Sequence, residues 1–116
     1  MSIPSVLKAR QKAKRNKYGA RKTTYNGILY DSQREAKRAA ELDLLTRAGE
    51  VKSVQRQPEF VFASGIKYRA DFRIVWADGS ETIEDVKGFE TPVFRLKMRL
   101  LKHEYPEVYA VFEVVK

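Results

Sequence analysis

At 116 residues the chain is long enough for one modest hydrophobic core and too short for two. It has no cysteine, which excludes a disulfide framework, a thiolate metal site and a cysteine nucleophile, and no apolar run approaches the roughly 18 residues of a membrane span. The net charge of +8 lies in residues 1–22, where Lys8, Arg10, Lys12, Lys14, Arg15, Lys17, Arg21 and Lys22 occur without one acid; the rest of the chain holds 15 basic and 15 acidic residues.

Residues 1–21 form the first predicted element, an irregular basic arm. An acid-free basic block suits a phosphate backbone, because it displaces condensed counterions. A solubilising tail has the same composition, and the arm alone does not separate DNA from RNA or from an acidic protein. It lacks the apolar centre of a secretory signal, so the expectation is a cytoplasmic protein. In the next stretch, KTTYNGILY, Asn26-Gly27 sits between β-prone residues and suits a type I′ turn, predicting a hairpin over about 22–30. Ser32 followed by Glu35 matches a capping box, REAKRAAELDLLTRAG is rich in helix formers, and Gly49 closes the helix.

Strands are expected near 51–56, 59–63, 66–76 and 81–87. Gln57-Pro58 reads as a bend, since proline is excluded from a central ladder. Asp78-Gly79 places an antiparallel hairpin between the last two strands. Thr91-Pro92 precedes a helix over about 92–104, with Phe94, Leu96, Met98, Leu100 and Leu101 as its apolar side, and Tyr105-Pro106 breaks it. VYAVFEVV, at 108–115, is a continuous apolar run of the kind found in strands covered on both faces. Because that strand follows a helical crossover, it is expected parallel to an earlier one. The fold class is therefore α/β in the broad sense (α+β), a mixed central sheet flanked by helices.

The chemistry-bearing residues gather near that hairpin. On an unbroken strand 66–76, period two puts Tyr68, Ala70, Phe72, Ile74 and Trp76 on one face and Arg69, Asp71 and Arg73 on the other; Tyr68 and Trp76 read as core or strand-edge aromatics. In TIEDVKG, Ile83, Asp85 and Lys87 share a face and Glu84 points away, so the hairpin can bring Asp71 and Asp85 together with Lys87 beside them. Glu35 shares a helix face with Ala39 and Leu42 and points inward. Converging carboxylates repel and raise one another's pKa, a difficulty that a hard divalent cation such as Mg²⁺ removes. Such a cation activates water and stabilises charge on a phosphoryl group, and a nearby lysine orients the water or neutralises that charge. Each residue also has a plainer role: Asp71 as an ion-pair partner of Arg69 or Arg73, Glu35 as the return arm of the capping box, and D-x-K as a surface pair. The ordered set of helix acid, strand aspartate, hairpin, D-x-K and basic helix favours the site.

That set, Glu35, then Ala70-Asp71, then Asp85-Val86-Lys87, resembles the PD-(D/E)XK nuclease superfamily. YDSQREAKRAAELDLLTRAGEV, QPEF, YRADF, EDVKG and TPVFRLKMRLL followed by YP look more narrowly like a small family of uncharacterised phage and prophage proteins similar to Holliday-junction-resolvase-like endonucleases. The resemblance covers about 18–107. It implies an αβββαβ restriction-endonuclease-like core over 22–116, Glu35, Asp71 and Asp85 as metal-binding carboxylates for Mg²⁺ or Mn²⁺, and Lys87 as the catalytic lysine. Ala70 stands where the motif's name has proline, a residue that does not ligate. Asp85 is preferred to Glu84 because only Asp85 shares the face of Lys87.

The function expected is a Mg²⁺-dependent DNA endonuclease in a bacterial host, encoded by a phage or prophage. The arm, with Arg95 and Lys97 on the second helix, would hold the backbone. Family analogy extends this to branched DNA cut by a homodimer. The competing readings are a nucleic-acid-binding module with an inactive site, and an accessory subunit that needs a phage recombination or packaging partner.

Overall fold

The computed structural model describes residues 21–116. Lys8, Arg10, Lys12, Lys14, Arg15 and Lys17 of the expected arm lie outside the described residues, while Arg21 and Lys22 are exposed ahead of the first strand. Asn26 and Gly27 take φ of 51° and 81°, as a type I′ turn requires, and join β1 (Thr23–Tyr25) to β2 (Ile28–Tyr30). Ser32 Oγ accepts the Glu35 N–H at 3.1 Å and caps α1 (Gln33–Arg47). Gly49, at φ 82°, takes the left-handed turn that follows it.

Four strands make the main sheet: β3 (Val51–Arg56), β6 (Phe72–Trp76), β7 (Glu81–Val86) and β8 (Phe112–Val115), in the order β3-β6-β7-β8. β6 runs antiparallel to both β3 and β7, and β8 runs parallel to β7 after α2 (Pro92–Glu104) and α3 (Pro106–Ala110). Between β3 and β6, β4 (Glu59–Val61) and β5 (Lys67–Arg69) pair as a separate two-stranded sheet. Apart from the two small sheets, the order α1, β3, β6, β7, α2, β8 is αβββαβ. No helix among the described residues is long and apolar enough to cross a membrane.

The sheet divides two apolar clusters. Ala36, Ala39 and Leu42 of α1 pack with Tyr30, Val51, Phe72, Ile74 and Val86 on one face. Phe94 and Leu101 of α2 pack with Phe62, Tyr68, Ala70 and Ile83 on the other. Phe72 and Ile74 are sealed from solvent, and burial of such side chains stabilises by about 1.5–3 kcal/mol each.

The expected strand 66–76 is broken, and the break rearranges its faces. The Ala70 N–H donates to Pro58 O at 3.0 Å, and the Gln57 N–H to Asp71 O at 2.9 Å. Gln57 sits at φ 53° and Pro58 has no N–H to give a ladder, so the chain bends there and β4-β5 peels away from the main sheet. Tyr68 and Ala70 consequently pack beneath α2, while Phe72 and Ile74 pack beneath α1. The single face drawn from alternation does not exist.

The end of the chain also departs from expectation. Pro106 opens a turn of helix, so the strand is Phe112–Val115 and not 108–115. It is an edge strand of half-buried and exposed residues, not one covered on both faces. Leu96 is 45% exposed, because it lies off the Phe94, Met98, Leu101 stripe that faces the sheet.

Candidate active site

The antiparallel register of β6 and β7 pairs Phe72 with Glu84. One step beyond that pair, Asp71 and Asp85 come to face each other where β6 begins and β7 ends. Asp71 is fixed by its backbone and by its side chain. Its N–H donates to Glu84 O at 3.0 Å, its carbonyl accepts from Gln57, and its Oδ2 accepts the Val86 N–H at 2.7 Å. Asp85 is 2% exposed. Its Oδ2 accepts a hydrogen bond from the Tyr68 hydroxyl, and Lys87 Nζ stands 3.4 Å from its Oδ1. The Lys87 side chain crosses the Phe94 ring, with Nζ 4.9 Å from the ring centre, and is about one-third exposed.

Glu35 comes from the first turn of α1 and is 3% exposed. The Asp71 carboxyl lies within hydrogen-bonding reach of both Glu35 and Asp85. Burial, reinforced by the charge of Asp85, pushes the Asp71 carboxyl up to about 8 despite the opposing Val86 N–H. Burial also raises Glu35, with the Asp31 charge adding to it, while the hydrogen bond to Asp71 and the Arg56 cation pull the other way. Three carboxyl groups thus lie close enough to influence one another, and in two of them, Glu35 and Asp71, the surroundings favour the neutral form.

Glu35, Asp71, Asp85 and Lys87, the four residues singled out from the sequence, meet at this one place. Glu84 is turned to the opposite face, where Arg38 of α1 grips it through two hydrogen bonds of 2.8 and 2.7 Å. Arg69 and Arg73 pair with Glu59 and Glu81, leaving Asp71 out of those surface ion pairs. On α2, Arg95 is exposed and Lys97 half-buried; neither is among the groups that touch the carboxylates.

Sequence reasoning misses three side chains around the site. Tyr68 reads only as a core or edge aromatic, because its hydroxyl's partner is hidden by the strand break. Arg56 stacks over the Tyr30 ring at 4.7 Å, and its Nε is buried without a hydrogen-bond partner. Arg34, next to Glu35, lies against Gly88, where a Cβ would meet its Nε at 3.2 Å. The bare glycine after Lys87 is the available signal for that close approach.

The donor set fits a hard divalent cation in its chemistry: buried carboxylate oxygens whose mutual repulsion such an ion relieves. Glu35, Asp71 and Asp85 would hold it. The side chains as they stand are not a closed cage, since among the described residues no three acidic or histidine groups are set to hold an ion together. Hydrogen bonds engage one oxygen each of Asp71 and Asp85. Mg²⁺ typically retains several waters and uses one or two protein carboxylates with substrate phosphates, so a closed protein cage is not its requirement.

Residues 15–116 match the model of the family described as "Protein of unknown function (DUF1064)", and the chain belongs to that family. No curated protein and no solved structure matches it.

Proposed function

We propose that this DUF1064 protein is a divalent-cation-dependent endonuclease acting on DNA. The observation that carries the reading is the grouping of Glu35, Asp71 and Asp85, two of them buried, with one lysine held 3.4 Å from Asp85. The resemblance to PD-(D/E)XK nucleases and the αβββαβ order support it. A bound Mg²⁺ or Mn²⁺ supplies Lewis-acid polarisation of the phosphodiester and lowers the pKa of water. The chain's own part is placement. Asp71 and Asp85 are fixed across a strand pair, Glu35 is delivered by a capped helix, and Lys87 brings a positive charge to where charge develops on the phosphate. Arg34 and Arg56 add cations at the α1 side of the site.

The finer reading is of a phage- or prophage-encoded enzyme in the bacterial cytoplasm, cutting branched DNA such as four-way junctions as a homodimer. Its basis is analogy with the family that the sequence resembles; the basic arm adds only a sequence-independent affinity for a phosphate backbone. The test is Asp85→Ala, assayed for cleavage and for binding. Cleavage is lost and DNA binding is kept or tightened, because a negative charge leaves the site. Equal cleavage by both proteins overturns the reading. Binding without cleavage by the wild type itself shifts it to a binding module or to a subunit that needs a partner.

A further inference from the structure

Tyr68 is 4% exposed, and its ring is wedged among Phe60, Phe94 and Phe112 at centroid distances of 6.3 Å each. That packing leaves the ring no room to swing, so its hydroxyl is a fixed point. The hydroxyl donates to Asp85 Oδ2, while Lys87 stands on the Oδ1 side of the same carboxylate. A phenol differs from an arginine or lysine in one respect that matters here. It satisfies a buried carboxylate oxygen without adding positive charge, so among the described residues the one cation paired with Asp85 is the partly exposed Lys87. The other buried acid of β7 shows the contrast: Glu84 is held by two hydrogen bonds from Arg38 and is neutralised. Of two adjacent acids on one strand, one is gripped by a guanidinium and the other takes its hydrogen bond from a neutral donor.

We propose that Tyr68 is the positioning residue of the cation site, locking Asp85 by one oxygen so that the other is presented beside Lys87. The inference rests on the reading of the carboxylates as a cation site. Tyr68 touches neither substrate nor cation and acts through Asp85. Without the hydroxyl, Asp85 Oδ2 is buried with its partner gone, and the carboxylate rotates or takes a proton. Loss of such an outer partner weakens metal binding by about 10–100-fold.

The experiment is calorimetric titration of the full chain with Mg²⁺ and with Mn²⁺, no DNA present, on wild type, Tyr68→Phe and Phe62→Leu. Phe62→Leu thins the same apolar cluster without touching the hydroxyl and reports what loss of packing alone does. Tyrosine difference absorbance is recorded as each ion is added. The expected result is a 10–100-fold weaker Mg²⁺ affinity for Tyr68→Phe, near wild-type affinity for Phe62→Leu, and a metal-induced tyrosine signal that disappears in Tyr68→Phe. Unchanged affinity in Tyr68→Phe overturns the proposal, and so does an equal loss in Phe62→Leu. A wild type that binds neither ion sinks the cation-site reading as well, an outcome distinct from both.

Discussion

Asp71 is held by opposing forces, a backbone N–H that favours its charge and a buried, acidic setting that disfavours it. Its carboxyl is raised from the usual aspartate range to about 8, so folding favours the neutral form. In the absence of metal, the stability this group contributes is complete below about pH 4 and is lost as pH rises toward 8. Asp71→Asn keeps the acceptor for Val86 and removes the titration. In EDTA at pH 8 it is expected to be more stable than wild type by about 1–3 kcal/mol, with the advantage gone at pH 4. With Mg²⁺ at a hundred times its Kd the wild type gains about 2.7 kcal/mol that the variant does not. Denaturation from pH 4 to 9 with and without Mg²⁺ checks this, and parallel curves contradict it. At this scale the sequence was legible where periodicity was unbroken: Glu35, Ala39 and Leu42 share a helix face and all three are buried. Tyr68 was not legible, since the face a strand residue takes depends on the strand staying whole.

The elements that carry the site are clamped to each other by a second set of charges. Arg38 is one turn along α1 from Glu35, and Glu84 precedes Asp85 on β7, so the Arg38–Glu84 pair fixes the helix to the strand next to the carboxylates. Glu84 is 1% exposed, and removing one partner of a buried pair leaves an uncompensated charge. Glu84→Ala is expected to destabilise the fold by about 3–5 kcal/mol, and Arg38→Met combined with Glu84→Leu to recover most of that, by urea denaturation. A loss under about 1 kcal/mol for Glu84→Ala would remove the clamp from the account. Elements with chemical punctuation were legible: Ser32 and Thr91 cap their helices, and Asn26-Gly27 and Asp78-Gly79 turn their hairpins. The apolar runs at 66–76 and 108–115 were not, because such a run fits a strand, a broken strand or a helical turn equally well.

Across the whole molecule, positive charge and chemistry are segregated. The excess charge lies in residues 1–22, and the remaining chain, which contains the site, carries equal numbers of basic and acidic residues. Binding strength should therefore reside in the arm and cleavage in the folded part. Deleting residues 1–21 is expected to weaken duplex binding and to flatten the dependence of log K on log salt by several units, about 0.9 for each phosphate the arm neutralises. An unchanged slope would take the arm off the DNA. Topology was legible at this scale, the mixed sheet and parallel last strand following from a helical crossover. The closing of the carboxylates into one site was legible only as a possibility of register, since it needed the β6–β7 pairing to be known.

The central claim is that Glu35, Asp71, Asp85 and Lys87 make a cation-dependent phosphodiester-cleaving site. Its most direct test is incubation of wild type and Asp85→Ala with end-labelled linear duplex, single-stranded and four-way-junction DNA, in Mg²⁺, Mn²⁺ or EDTA. The account predicts cutting by the wild type with either metal, none in EDTA and none by Asp85→Ala. Cutting that persists in EDTA or in the variant, or no cutting of any of the three substrates in either metal, would contradict it.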